Sequence, residues 1–107
     1  MSVFKDRPID GVIPATLLAF DTDMKIDEAA SRRHLRDVAA TEGLSAITVN
    51  GHASEVHACG FDEQQRILEF CGDELGGRLP LINGIYADGS LQAARLARMA
   101  ERAGAQA

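Results

Sequence analysis

Ala46-Ile47-Thr48-Val49-Asn50-Gly51-His52-Ala53-Ser54-Glu55-Val56 carries an apolar, β-branched run into Asn-Gly and then into a loop of small and polar residues. β-Branched side chains suit a pleated, buried strand, and Asn-Gly is turn chemistry that ends one. In an α/β protein such a junction is where a buried parallel strand delivers its loop to the ligand-binding end of the sheet. Residues 50–59 are therefore expected to lie where chemistry occurs.

The same pattern recurs on either side. Gly11-Val12-Ile13-Pro14-Ala15-Thr16-Leu17-Leu18 reads as a first strand, although Pro14 removes one ladder donor. After the polar turn Asp21-Thr22-Asp23, a helix is expected to open at an Asp27 N-cap, with Glu28 in its first turn. Leu35, Val38, Ala39 and Glu42 follow helical spacing, and Gly43 is the stop. Residues 44–49 form the second strand. Asp62 with Gln65 reads as a capping box for a second helix buried through Ile67, Leu68, Cys71 and Leu75, and Gly76-Gly77 ends it. Residues 79–85 form the third strand. Ser90 is the expected cap of a third helix whose apolar face is Ala93, Leu96, Ala97, Ala100 and Ala103, stopped by Gly104.

Repeated strand-then-helix units imply parallel strands joined by right-handed crossovers, hence the α/β class. Gly104-Ala105-Gln106-Ala107 has the character of Gly43-Leu44-Ser45-Ala46, which leads into the second strand. The expectation is one domain over 1–107 that ends before a fourth strand.

Composition bounds the function. At 107 residues the chain holds one domain with a modest core. A net charge of −5 without a basic stripe argues against nucleic acid and anionic membrane as partners. Cys59 and Cys71 form no Cys-x-x-Cys pair and read as reduced thiols of a cytoplasmic protein. No apolar run approaches membrane-spanning length. The dinucleotide fingerprint and the phosphate loop ending in Gly-Lys are both absent.

Gly11-Val12-Ile13-Pro14-Ala15-Thr16, then Ile26-Asp27-Glu28, then Val49-Asn50-Gly51 with Glu55, resembles the start of the dihydrodipicolinate synthase/N-acetylneuraminate lyase family. Ile82-Asn83-Gly84-Ile85 and the helix around Ala93-Ala94-Arg95-Leu96-Ala97 fit the same family, in order and over nearly the whole chain. The resemblance implies the first three β/α units of a TIM barrel. It also implies a class I aldolase or lyase that holds pyruvate or another 2-oxo acid as a Schiff base, with no cofactor.

The family's Schiff-base lysine and catalytic tyrosines belong to later strands, and the only lysines here are Lys5 and Lys25. Neither lies in an apolar stretch that would make its amine a good nucleophile, so no catalytic residue is assigned to this chain. The family's substrate-carboxylate loop, Gly-Thr-Thr-Gly-Glu, stands here as Gly51-His52-Ala53-Ser54-Glu55. By that resemblance His52, Ala53 and Ser54 are the candidate substrate-binding residues: backbone N–H groups as a nest, the Ser54 hydroxyl and a protonated His52 as side-chain donors. Leu18-Ala19-Phe20 replaces the usual Thr-Pro-Phe, a further departure that sets the chain on its own branch of the family.

Tyr86 follows the third strand and is a candidate rim contact, or a packed rim aromatic. His52, Glu55 and His57 carry metal-ligand chemistry, but without a third strong ligand elsewhere no metal is assigned. Cys59 has only His57 nearby to activate it. His34 reads as a structural helix residue, and Arg95, Arg98 and Arg102 as a solvated face. Two readings follow: the N-terminal part of a Schiff-base lyase or aldolase, inactive alone, or a non-catalytic α/β module that binds a small carboxylic acid or a partner chain. Three parallel strands leave open edges and an uncovered face, so a homo-oligomer or a marginal fold is expected.

Overall fold

The computed structural model describes residues 10–107. Its elements are α1 (Glu28–Ala39), β1 (Ile47–Val49), two short 3-10 turns (His52–Ser54 and Val56–Ala58), α2 (Phe61–Leu75), β2 (Leu81–Asn83) and α3 (Ser90–Arg102). β1 and β2 are parallel, with Ile47 opposite Leu81 and Val49 opposite Asn83. α2 is their crossover, so the α/β class with parallel units holds.

The first strand differs from expectation. Residues 11–18 do run parallel to β1, but only as separate bridges, Val12 with Leu44 and Ala15 with Thr48. Between those bridges one side advances three residues and the other four, which is the signature of a bulge. Pro14 sits inside the slip. It donates nothing, yet its carbonyl accepts from Thr48 N at 2.9 Å, and Thr16 N donates to Thr48 O at 3.1 Å. On the other edge of the sheet, Gln106 N donates to Leu81 O and Leu81 N donates to Gln106 Oε1, at 2.9 and 2.8 Å. Asn83 N donates to Ala107 O at 2.9 Å, so residues 106–107 run along the free edge of β2.

Helix ends show where local chemistry was read correctly. Asp27 caps α1, its Oδ1 accepting from Ala30 N at 3.0 Å. Gly76, at φ 57°, ends α2 and donates to Gly72 O, a left-handed stop that suits glycine. α1 ends at Ala39, short of Gly43. The cap of α2 is Gly60, not Asp62, and Glu63 Oε1 accepts from Gly60 N at 2.9 Å. The cap of α3 is Gly89, and Ser90 is the first helical residue without a capping bond. In both cases the glycine adopts the extended entry conformation one or two residues earlier than the polar candidate.

One core fills the space between helices and sheet. Ile47 and Val49 from β1 and Leu81 from β2 meet Ile67, Leu68, Phe70, Cys71 and Leu75 of α2, with Leu35 from α1 and Leu96, Met99 and Ala100 from α3. On α3, Ala97 is exposed and Met99 is buried in its stead. α1 and α2 are further tied by ion pairs: Arg32 with Asp73, Arg36 with Glu74, and Arg66 with Glu28, at 2.7–2.9 Å. On the other face Thr48 and Ile82 are half-buried, and in the first parallel segment Val12 and Leu17 are 63% and 61% exposed. Among the described residues, no helix is long and apolar enough to cross a membrane.

Candidate functional site

The loop after β1 is built by backbone strain and buried amides. Asn50 leaves the strand at φ 54°, a left-handed conformation that Asn tolerates better than most residues. Its side chain is almost completely buried, and Nδ2 donates to Gln64 O at 3.1 Å and to Asn83 Oδ1 at 2.9 Å. Asn50 thus links the ends of β1 and β2 to the first turns of α2. Gln64 Nε2 in turn donates to Cys59 O at 3.0 Å and fixes the far end of the loop. Asn50, Gln64 and Asn83 form a buried polar cluster that an apolar-periodicity reading passes over. The mixed Asp-Glu-Gln-Gln opening of α2 looks like a solvated helix start.

Past Gly51 the chain makes two 3-10 turns joined by Glu55, itself left-handed at φ 56°. Gly51 O accepts from Ser54 N and Val56 N, and His52 O accepts from Glu55 N. The N–H groups of Gly51, His52 and Ala53 donate to no protein acceptor among the described residues. These amides lie at the C-terminal end of β1; Gly51 is extended, so its N–H diverges from the pair at His52 and Ala53 that opens the first 3-10 turn. The third residue of the predicted set behaves differently. Ser54 is 3% exposed, and its hydroxyl donates to the carbonyl of Thr16. It fastens the loop to the first parallel segment.

Gly84 is the second device that holds the loop. A Cβ there would stand 2.5 Å from Asn50 O and 2.9 Å from Asn50 C, so only glycine lets the two strand ends approach. Between those ends opens a pocket of about 200 Å³, lined by Asn50, Gly51 and His52 on one side and Gly84, Ile85 and Tyr86 on the other. Tyr86 is half exposed and its ring meets that of His52 edge to face, centroids 5.5 Å apart. The His57 ring lies 6.2 Å from Tyr86 and 6.4 Å from His52. His52 and Tyr86, the one named for the loop and the other for the rim, therefore line one pocket, and the His57 ring stands beside theirs. Sequence spacing gave no sign of that grouping, because Tyr86 arrives from a different strand.

The remaining titratable residues are structural. His34 Nε2 accepts from Leu17 N at 3.0 Å. Arg95 lies over the Phe61 ring, 4.1 Å from its centroid, and so is more than a solvated side chain. Burial, aided by the Glu63 and Glu55 charges, pushes the Cys59 thiol up, away from reactivity. Burial pushes the Cys71 thiol up to about 12. Lys25 is exposed in the turn after residue 20, and Lys5 lies outside the described residues. Among the described residues, no group of three or more His, Cys, Asp or Glu side chains is arranged to hold a metal ion.

Comparison with known proteins bears on both fold and loop. Residues 8–107 match the family model described as the dihydrodipicolinate synthetase family. A 4-hydroxy-tetrahydrodipicolinate synthase of Salinibacter ruber is 37% identical over 100 residues, which is 94% of this chain and 33% of that protein. The enzyme of the same name from Brucella abortus is 32% identical over 99 residues, 92% of this chain and 33% of its own length. The crystal structure of dihydrodipicolinate synthase from Aquifex aeolicus superposes with a TM-score of 0.79 at 27% identity, over 89% of this chain and 32% of that one. The chain therefore spans about a third of the length of the curated relatives it matches.

Proposed function

The chain belongs to the dihydrodipicolinate synthetase family, and on that premise we propose that it supplies the carboxylate-binding portion of a lyase or aldolase acting on pyruvate or another 2-oxo acid. In this reading residues 1–107 are one partial barrel domain of three β/α units, whose parallel sheet would continue into a fourth strand beyond β2. The observation that carries the proposal is the set of N–H groups at Gly51, His52 and Ala53 without a protein acceptor among the described residues, in a loop whose Gly51 and His52 line the pocket between β1 and β2. The backbone donors of His52 and Ala53 at the start of the 3-10 turn suit a carboxylate without needing a side-chain hydroxyl, so replacement of the usual threonines by these residues is compatible with binding. Ser54 contributes by fixing the loop, and Tyr86 forms the opposite wall.

The carbon chemistry itself would proceed through a Schiff base, and among the described residues no lysine is placed to form it. An amine nucleophile must be desolvated or set beside another cation so that it is neutral near pH 7. Lys25 is exposed, in the turn that precedes α1, and is not among the residues lining the pocket. The chain alone is thus a binding element, inactive until the remaining strands supply a buried lysine. Borohydride reduction in the presence of pyruvate tests this by mass spectrometry. No adduct is expected on the 107-residue chain, and a covalent adduct on Lys5 or Lys25 would overturn the assignment.

Partner and setting follow from the same surfaces. The exposed apolar face around Val12 and Leu17, together with the open sheet edges, favours association with a second copy of the chain. Two buried, unpaired thiols accord with the reducing cytoplasm.

A further inference from the structure

We infer that His52, His57 and Tyr86 form a second anion-recognition subsite, which takes the distal carboxylate of a 2-oxo dicarboxylic acid whose 2-oxo acid end lies on the loop amides. The inference rests on the function proposed above and narrows it to a substrate class. Two of the chain's three histidines stand at this one pocket rim. Their rings and that of Tyr86 meet edge to face within 5.5–6.4 Å of one another, centroid to centroid, and all three are open to solvent. Among the described residues no lysine or arginine lines the pocket; its cationic capacity is the His52 imidazole, with His57 beside it.

Ligand chemistry follows from what the rim can satisfy. An aliphatic tail lying across it would strip water from two imidazoles and a phenol without replacing their hydrogen bonds. A carboxylate accepts from all three, and it favours the protonated imidazoles whose charge-assisted bonds are the stronger kind. The carboxylates carried by the same loops, Glu55 and Asp88, are exposed, where water and salt screen their repulsion. The open pocket of about 200 Å³ has room for a short acid. With a net charge of −5, the chain as a whole would disfavour a dianion, so any preference for one must come from local donors.

Calorimetric titration of the full 107-residue chain at pH 6.5 with 2-oxoglutarate and with 2-oxobutyrate tests this. The dianion is expected to bind about tenfold more tightly, roughly the factor for one charge-assisted hydrogen bond. In H57Q, an exposed replacement whose folding is checked by its amide spectrum, the ratio between the two acids should fall toward one. Equal affinities in the wild type, or an unchanged ratio in H57Q, would overturn the subsite while leaving the 2-oxo acid site standing. If neither acid binds, the proposed function fails and the subsite fails with it.

Discussion

Replacing Gly84 by alanine places a methyl group against backbone and not against a flexible side chain. The new Cβ would stand 2.5 Å from Asn50 O, 2.9 Å from Asn50 C and 3.0 Å from Gly51 Cα. Ordinary van der Waals contact begins near 3.4 Å, so the ends of β1 and β2 must part by close to an ångström. Neither end yields easily, because Gly84 N donates to Val49 O at 2.8 Å and Asn50 is held by two side-chain bonds. Overpacking of this kind costs about 1–3 kcal/mol. At roughly 4–8 °C per kcal/mol for a domain of this size, the melting temperature should drop by about 10 °C. The matched control is Gly51→Ala, whose Cβ would meet only Thr48 Cγ2 at 3.9 Å, with φ at −93°. It should change stability by less than about 0.5 kcal/mol. Both melts are to be followed by circular dichroism at one protein concentration, with amide spectra recorded alongside. G84A should also move the Gly51, His52 and Ala53 resonances. If it melts with the wild type and leaves those resonances in place, the reasoning that Gly84 sets the loop is refuted.

Further outcomes follow from other parts of the fold. Asn50→Leu should lower the urea midpoint by an amount equivalent to about 3 kcal/mol, since it combines a strained φ with the loss of two hydrogen bonds, one of which leaves the buried Asn83 Oδ1 without a donor; Asn50→Gly should cost less, and equal losses would contradict the division between backbone and side chain. Cys71, its thiol raised to about 12, should resist alkylation at pH 8 in the folded protein and react fully in denaturant; rapid native labelling would contradict its burial. The Arg66 and Arg32 guanidiniums hold the Glu28 carboxyl below its ordinary value of 4.5. Its contribution to stability is therefore present above that value and lost as pH falls through the lowered one. The stability of Glu28→Gln should decline less than that of the wild type below pH 4.5, and parallel acid profiles would contradict the pairing. Size-exclusion chromatography should show self-association through the open sheet, whereas a stable, compact monomer would count against it.

How much of this could be read from the sequence depends on the range of the interactions. The α2 face of Ile67, Leu68, Cys71 and Leu75 and the cap at Asp27 are set within a few residues, and both stand in the structure as read. The broken first strand was less accessible. Pro14 announced a missing donor, but the bulge is a relation between two strands that only their pairing reveals. The caps of α2 and α3 were misplaced because glycine has no side chain with which to announce itself, and a polar neighbour took the assignment. At the candidate site, the family-like order of residues pointed to the loop, and position after the third strand pointed to Tyr86, which the structure brings beside His52. Three features were hidden because each joins residues distant in the chain: the burial of Ser54 against Thr16, the Asn50–Gln64–Asn83 cluster, and the approach of His57 to Tyr86.

A titration of the isotope-labelled chain with pyruvate, followed by amide chemical shifts, tests the central claim most directly. Saturable shifts of the Gly51, His52 and Ala53 N–H resonances are predicted, with the buried amides of α2 left unmoved. Saturable binding whose shifts fall elsewhere, or none at these three amides, would contradict the assignment of this loop as the carboxylate site.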